Sequence, residues 1–458
     1  MSQLISPHSA KNERNMHTST GTSISPDLAP LRGLASEIRA ELECLQDHDP
    51  IHECGKAALA ILRIKPLEAL QLAKDHVQNT PFRDVRKCWL RLYEDASLWR
   101  AAELLCDAGD ASADLEFRDF SGTDDWMSKV VRVLDLGLVV SGGTLRGELY
   151  EAIFANLEPF VGGSDISANV SRVFDIEQPE ALPTKHAIST VSQPSLEEFQ
   201  MHLNNHMTPI LLTDTINDWP AMKTWQDPRH LLRLTLGGRR CVPIEIGETY
   251  THADWRQEIM PLRRFMHDYL PPIDPEETGA REIGYLGQHN LFHQIPKLQH
   301  DIRIPDYCYT APPEGTPTSR LGLPAVPPVD EPQKNIWLGP KGTRTPLHTD
   351  PYHNIFCQVV GHKYVRLYPP EATESVYLRG EDDNGINESN TSEVEIRLDR
   401  RQASNVAVED VESFPLFMSQ TNYHEVIVGP GECLYIPAGW WHYIESLTAS
   451  SSVSFWWN

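Results

Sequence analysis

The segment "RTPLHTDPYHN", from Arg344 to Asn354, places His348 two residues before Asp350. Residues two apart on a β-strand project from the same face, so both side chains could reach one metal ion. An imidazole and a carboxylate together suit Fe(II), Mn or Zn. The pair alone is weak, because a chain with 19 His and 64 acidic residues contains such pairs by chance. Its surroundings must therefore decide whether it marks a metal site.

A second pair of the same spacing, His252 and Asp254 in "TYTHADWRQE", serves as a comparison. It lies in a polar stretch that predicts the start of a helix, with Thr251 or Asp254 near the N-cap. Spacing does not separate the two pairs, but context does.

Downstream of the first pair, "GPGECLYIPAGWWHY" combines a Gly-Pro-Gly turn, an apolar strand and then His442. This pattern predicts a hairpin that brings one histidine to the end of a strand. With His348 and Asp350 it would complete a set of three ligands that leaves open positions on the metal. A buried histidine bonded to a backbone carbonyl is the alternative interpretation of His442.

The chain divides into a helical and a strand-rich part. Between residues 31 and 161, segments such as "VRKCWLRLYEDASLWRAAELLC" place apolar residues three and four apart, which predicts α-helices. From residue 195 onward, short runs such as "CVPIEIG" and "ECLYIP" predict many short strands of a sandwich or barrel. We therefore predict a disordered tail (1–30), an α-helical domain (31–161), a linker (162–194) and a β-domain (195–458).

Two segments of the strand-rich part predict long loops. "APPEGTPTSRLGLPAVPPVDEPQ" is dense in proline, and "RGEDDNGINESNTSEVE" is acidic and polar. Neither contains enough apolar residues to order itself by burial.

Charge and cysteine content narrow the class of protein. A net charge of −24 opposes direct binding to nucleic acid and favours a basic protein or peptide partner, with solubility alone as the alternative. Eight cysteines without CxxC spacing predict reduced thiols in an intracellular protein of the nucleus or the cytoplasm. No apolar run is long enough to span a membrane, and the N-terminus lacks the apolar core of a signal peptide.

Lys363, in "QVVGHKYVRLYPP", lies within an apolar strand pattern. A lysine there must extend to the surface or pair with an anion. An anionic co-substrate beside the metal would explain it, with Thr345 and Asn354 close in sequence to add hydrogen bonds.

With these motifs the chain resembles the JmjC-domain oxygenases. The resemblance rests on "WLGPKGTRTPLHTDPYHNIFCQVVGHKYVRLYPP", "GECLYIPAGWWHYIESL" and "SVSFWWN", and runs from about "PILLTDTINDWPAMKTW" to the C-terminus. It is greatest to the subgroup called lysine demethylase 8 or JmjC-domain-containing protein 5, on the protein-hydroxylase branch. It implies an α+β fold, in which an all-α helical domain precedes a C-terminal double-stranded β-helix (jelly-roll or cupin) domain.

The resemblance also implies roles for single residues. The Fe(II) ligands would be His348, Asp350 and His442. The residues that bind 2-oxoglutarate would be Tyr285, Thr345, Asn354, Lys363 and Gln288. Carboxylates and flat aromatic rings suit a guanidinium group, and the substrate contacts would be Glu245, Tyr250, Trp255 and Trp337. For the tryptophans, packing in the core is the alternative.

The implied activity is oxidation of a protein side chain, with 2-oxoglutarate and O₂ consumed and succinate and CO₂ released. Arginine hydroxylation is the main expectation, and demethylation of methyl-lysine at the same site is the alternative. A non-enzymatic cupin-like scaffold is a third hypothesis, against which the intact ligand set argues. A zinc hydrolase is a fourth hypothesis, and the absence of a general base in the helical HxxE/H context of such sites argues against it. The oligomeric state stays open.

Overall fold

The computed structural model describes residues 28–458 except 82–83, 109–124, 144, 164–173, 175–178, 180–181, 183, 253, 271–281, 314–325, 382–386, 400 and 403–404. The predicted tail (1–30) lies almost wholly outside the described residues, as do much of the predicted linker (162–194) and the centre of the proline-dense loop. Within the described part, no helix is both long and apolar enough to cross a membrane.

The described residues of the N-terminal part form six α-helices: α1 (Ala29–Glu43), α2 (Lys56–Ile64), α3 (Pro66–Gln78), α4 (Lys87–Cys106), α5 (Trp126–Ser141) and α6 (Gly147–Leu157). Apolar side chains from all six pack into one core. Helix α5 begins after Asp125, whose carboxylate accepts a hydrogen bond from the backbone N–H of Ser128 at 2.7 Å. It ends at Gly142, whose φ of 78° suits glycine.

The C-terminal part is built from strands. Those among the described residues are β1 (Ser189–Ser192), β2 (Ile210–Thr213), β3 (Cys241–Ile246), β4 (Arg256–Pro261), β5 (Gly284–His289), β6 (Gln333–Gly339), β7 (Arg344–Thr349), β8 (His353–Val360), β9 (Lys363–Tyr368), β10 (Ile396–Leu398), β11 (Val406–Val408), β12 (His424–Val428), β13 (Cys433–Ile436), β14 (Trp441–Ser446) and β15 (Ser450–Trp457). Short helices flank them: Leu196–Asn205, Ala221–Thr224, Pro228–Leu234, Leu262–Asp268, Leu291–Gln294 and Pro415–Ser419.

The strands form two main sheets. A nine-stranded sheet has the order β1-β2-β13-β8-β15-β6-β5-β3-β4, and a four-stranded sheet has the order β12-β9-β14-β7. Consecutive strands from β7 to β9 and from β12 to β15 alternate between the two sheets. The inward-facing side chains of both sheets, among them Phe356, Val365, Leu434 and Ile444, pack together. This winding is a double-stranded β-helix, so the predicted α+β fold class is confirmed.

The acidic segment predicted as a loop is partly ordered, and for its C-terminal part the prediction is wrong. The backbone N–H of Ser392 donates to the carbonyl of Leu347 at 2.9 Å, and that of Thr349 donates to the carbonyl of Asn390 at 2.8 Å. Thr391 and Ser392 are buried. Pairing with the free edge of β7 orders the segment, and composition alone does not reveal such a backbone contact.

Candidate metal centre and its cavity

His348 and His442 face each other because β7 and β14 are antiparallel neighbours in which these two residues are direct partners. Asp350 follows the end of β7, and its carbonyl accepts a hydrogen bond from the N–H of Gly439 at 2.9 Å. The hairpin before β14 therefore holds Asp350 beside both histidines. The Asp350 carboxylate lies 3.8 Å from Nε2 of His348 and 3.6 Å from Nε2 of His442. One ligand atom from each residue lies within 4.8 Å of the others.

Backbone carbonyls orient both imidazole rings. Nδ1 of His348 lies 2.9 Å from the carbonyl of Pro346, and Nδ1 of His442 lies 3.0 Å from that of Trp440. Each Nδ1 therefore donates its proton, and in the neutral form of each ring Nε2 has a free lone pair on the side of Asp350. Two neutral imidazoles and one carboxylate fit a divalent transition metal with open coordination positions.

Burial makes charge unfavourable at this centre. It raises the pKa of the Asp350 carboxyl group, an effect that the nearby His348 partly opposes. It also lowers the pKa of His442 well below the usual range, and His348 lowers it further. A divalent cation would stabilise the carboxylate and use the neutral imidazoles, so the electrostatics also fit a metal.

The comparison pair, His252 and Asp254, is exposed to solvent. His252 is 52% exposed and Asp254 is 90% exposed, and their side chains are 3.8 Å apart. Both lie in turns that lead into β4, so the prediction that a helix starts here is wrong. Among the described residues, only His348, Asp350 and His442 form a cluster of three potential ligands. Burial and convergence distinguish the two pairs.

A cavity between the two sheets opens onto the centre. Its lining combines the three potential ligands with eight further residues: Tyr285, Trp337, Thr345, Asn354, Phe356, Lys363, Ile444 and Trp456. Sequence reasoning missed Phe356, Ile444 and Trp456. The alternation of strands could have found two of them, since Phe356 is two residues after Asn354 on β8 and Ile444 is two residues after His442 on β14.

Lys363 lies inside this cavity and is only 1% exposed. Its ammonium group donates to the hydroxyl of Tyr285 at 3.1 Å, and that hydroxyl is also hydrogen-bonded to Thr345. Burial lowers the pKa of Lys363 to about 7. In the part of the chain that the structure describes, Lys363 forms no ion pair. A bound carboxylate would supply the missing counter-charge.

Asn354 provides a second sign of a polar ligand. It is buried, and its Oδ1 has no hydrogen-bond partner among the described residues. Trp456 on β15 pairs with Asn354 on β8, and its buried indole N–H also has no hydrogen-bond partner among the described residues. A buried polar group without a partner is costly, so these two groups are suited to a bound polar molecule.

An adjoining cavity contains three of the predicted substrate contacts, Glu245, Tyr250 and Trp255, and shares Tyr285 with the first. Glu245 is the direct partner of Tyr285 across β3 and β5. Its carboxylate accepts a hydrogen bond from Trp255, and burial raises its pKa to about 7. Tyr250 and Trp255 are partly exposed. The structure therefore groups an acid with aromatic rings next to the metal centre.

The remaining predicted residues lie in different places. Trp337 lines the metal cavity, and its indole N–H donates to Ser454 at 2.9 Å. Gln288 is exposed, has a φ of 45° and lines neither cavity. It is three residues after Tyr285 on β5, and residues three apart on a strand face opposite sides. The structure thus does not bring Gln288 to the site.

Comparison with known proteins identifies the family. Residues 196–458 match the cupin-like domain family. The chain is 40% identical over 277 residues to lysine-specific demethylase 8 of Xenopus tropicalis, covering 60% of this chain and 54% of that protein. It is 40% identical over 270 residues to Jumonji C domain-containing protein 5 of Drosophila melanogaster, covering 59% of each. It is 32% identical over 418 residues to lysine-specific demethylase JMJ30 of Arabidopsis thaliana, covering 85% of each.

The matched region spans little more than half of the Xenopus and Drosophila proteins, whereas the Arabidopsis match includes most of both chains. The family model covers more than half of the chain and coincides with its double-stranded β-helix. The resemblance inferred from the sequence motifs is therefore confirmed. The chain belongs to the cupin-like JmjC-domain family, in the subgroup of lysine-specific demethylase 8 and JmjC-domain-containing protein 5.

Proposed function

We propose that this chain is an Fe(II)- and 2-oxoglutarate-dependent oxygenase that removes a methyl group from a lysine side chain of a protein. The observation that carries the oxygenase assignment is one cavity with two unlike features. One is the cluster of His348, Asp350 and His442, in which His442 is buried and the other two are partly buried, and the other is a buried lysine without an ion-pair partner among the described residues. A metal site and an anion site this close suit an acidic co-substrate that also binds the metal.

In this proposal, His348, Asp350 and His442 hold Fe(II). When bound, the metal and 2-oxoglutarate supply the oxidising power, because 2-oxoglutarate and O₂ yield succinate, CO₂ and one oxygen atom for a substrate C–H bond. Lys363 binds the distal carboxylate of 2-oxoglutarate, with Tyr285 and Thr345 adding hydroxyl groups. The buried amide of Asn354 adds a hydrogen bond. Phe356 and Ile444 keep water away from this end of the cavity.

The choice of methyl-lysine rests on the names of the relatives, two of which are called lysine-specific demethylases. Hydroxylation of an N-methyl group forms a hydroxymethyl amine, which releases formaldehyde and leaves the amine with one methyl group fewer. Glu245 supports a cationic side chain, because a partly buried carboxylate in the cavity beside the metal centre favours a positively charged partner.

Arginine hydroxylation is a second candidate, and one observation favours it. The Glu245 carboxylate lies among the aromatic rings of Tyr250, Trp255 and Tyr285 in the adjoining cavity. A planar guanidinium pairs with a carboxylate and stacks on aromatic rings more effectively than an ammonium group does.

The test begins with the purified full chain under anaerobic conditions. We expect Fe(II) and 2-oxoglutarate to bind together, and His348→Ala to abolish Fe(II) binding. His252→Ala is the matched control, because it removes the histidine of the exposed comparison pair and should leave Fe(II) binding unchanged. Equal Fe(II) binding by the His348→Ala variant and the wild type would disprove the metal assignment.

Mass spectrometry of peptides after aerobic turnover then separates the candidates. Methyl-lysine peptides that lose a methyl group, with release of formaldehyde and succinate, would support demethylation. An arginine peptide that gains one oxygen atom would support hydroxylation instead. Absence of succinate release with every peptide would favour the non-enzymatic scaffold.

A further inference from the structure

Helix α5 of the helical domain contacts the β-domain through one buried carboxylate, that of Asp135. Asp135 is fully buried and accepts hydrogen bonds from Nε of Arg240 at 2.8 Å and from the backbone N–H of Cys241 at 2.6 Å. It also accepts one from the side-chain amide of Gln294 at 2.8 Å. The Arg240 guanidinium lies 3.6 Å from the ring centroid of Phe154 on α6. Both helices therefore hold the residue that precedes β3.

Gln294 extends this network to a second strand. Its amide nitrogen donates to the carbonyl of Cys241 at 2.7 Å, and its oxygen lies 2.8 Å from Nε2 of His289. Cys241 is the first residue of β3, and His289 is the last residue of β5. The neighbouring His293 contacts the carbonyl of Gly142, just after α5, at 2.9 Å. One side chain thus joins α5 to the ends of two strands.

The position of Gln294 matters because β3 and β5 pair over a short distance only. Their described partners are Glu245 with Tyr285 and Ile246 with Gly284. Extending this antiparallel register by four residues would place Cys241 opposite His289. At that end, the side chain of Gln294 forms hydrogen bonds with both residues. It thus links the two strands where no backbone pairing between them is described.

We propose that Asp135 and Gln294 are positioning residues, through which the helical domain sets the alignment of β3 and β5. Glu245 and Tyr285 lie at the opposite end of this strand pair, in the two cavities of the site. Loosening the anchor lets β5 shift, and Tyr285 then no longer meets Lys363 and Thr345. This inference rests on the proposed function where it concerns 2-oxoglutarate, and it assigns a role to the helical domain.

Two variants of the full chain test the network. Asp135→Asn places an amide N–H₂ group against groups that donate hydrogen bonds, and it leaves Arg240 buried without its counter-charge. Gln294→Met is milder, since it keeps the Asp135–Arg240 pair and removes only the link between the strands. Asp125→Asn is the matched control, because Asp125 also joins the two parts of the chain through Arg239 and asparagine preserves its N-cap role.

Hydrogen–deuterium exchange provides a readout that needs neither iron nor 2-oxoglutarate. We expect exchange in 241–246 and 284–289 to accelerate about tenfold in Gln294→Met, while the helical core keeps its protection. Asp135→Asn should show the same acceleration and Asp125→Asn should not. Unchanged exchange at both strands in the first two variants would overturn the inference, and so would equal acceleration throughout the chain.

Steady-state kinetics provide the second readout. We expect the KM for 2-oxoglutarate to rise about tenfold in Gln294→Met while kcat changes less than about threefold, because loss of a contact made equally in the ground state and the transition state raises KM and leaves kcat nearly unchanged. A KM equal to that of the wild type, despite faster exchange, would overturn the positioning role. If the wild type itself consumes no 2-oxoglutarate, the proposed function fails, and the exchange measurement still decides whether the anchor exists.

Discussion

Replacing Lys363 with methionine should stabilise the protein without co-substrate and weaken 2-oxoglutarate binding. The lysine is buried, and burial lowers its pKa from 10.5 to about 7. At pH 7 this shift corresponds to a penalty of roughly 4 kcal/mol on folding, at about 1.4 kcal/mol per unit. The variant also removes a hydrogen bond to Tyr285, worth about 1 kcal/mol. The free energy of unfolding should therefore rise by about 2–3 kcal/mol.

The same variant should bind 2-oxoglutarate more weakly than the wild type does. Removing one partner of a buried charge pair costs about 2–5 kcal/mol, so the Kd for 2-oxoglutarate should rise at least about 30-fold. Lys223→Met is the matched control, because Lys223 is exposed on the Ala221–Thr224 helix and lines neither cavity of the site. It should change neither the free energy of unfolding nor the Kd.

The assay is urea denaturation without co-substrate at pH 7 and pH 9, followed by 2-oxoglutarate titration. The unfolded chain binds more protons than the folded chain between about pH 7 and 10.5, so wild-type stability rises across this window. The advantage of Lys363→Met should accordingly shrink at pH 9. A variant less stable than the wild type at pH 7, or one that still binds 2-oxoglutarate normally, would refute this account of Lys363.

Three further predictions concern pH and the core. Because Lys363 must be protonated to bind a carboxylate, the Kd for 2-oxoglutarate should rise up to about tenfold per pH unit above pH 7 in titrations, and stay flat in Lys363→Arg. Burial lowers the pKa of His353 to about 4, so acidification from pH 6.5 to 4 should cost up to about 3 kcal/mol in urea denaturation, and less in His353→Phe. Buried Glu425 lies 3.9 Å from the guanidinium group of buried Arg366, and it accepts hydrogen bonds from the hydroxyl of Tyr364 and the amide of Asn405. Glu425→Leu should lower the free energy of unfolding by about 3–5 kcal/mol, and an unchanged denaturation midpoint would contradict this.

The candidate metal centre shows what sequence patterns can and cannot predict. The spacing of His348 and Asp350 and the hairpin before His442 predicted a cluster that the structure forms. The same spacing at His252 produced an exposed pair, because the His-x-Asp pattern carries no information about burial. Only a third ligand from a distant strand separates a metal site from a turn.

The positions of Gln288 and Thr391 in the structure could not be predicted from sequence patterns. Gln288 was predicted in the co-substrate site, yet the face of β5 on which it lies depends on a strand register that shifts between Leu286 and His289. Thr391 was assigned to a loop, although its backbone pairs with His348 at the edge of β7. Register and edge pairing arise from contacts between distant segments, so local composition does not encode them.

By itself, the sequence determined the α+β composition, the family and the three candidate ligands, because apolar periodicity and short motifs are local properties of the chain. Tertiary structure alone decided that Lys363 is buried without an ion-pair partner among the described residues and that Glu245 lies opposite Tyr285. It also decided that α5 reaches both strands through Asp135 and Gln294. Asp135 and Gln294 are 159 positions apart in the sequence, and only the packing of the helical domain against the β-domain brings such distant residues together.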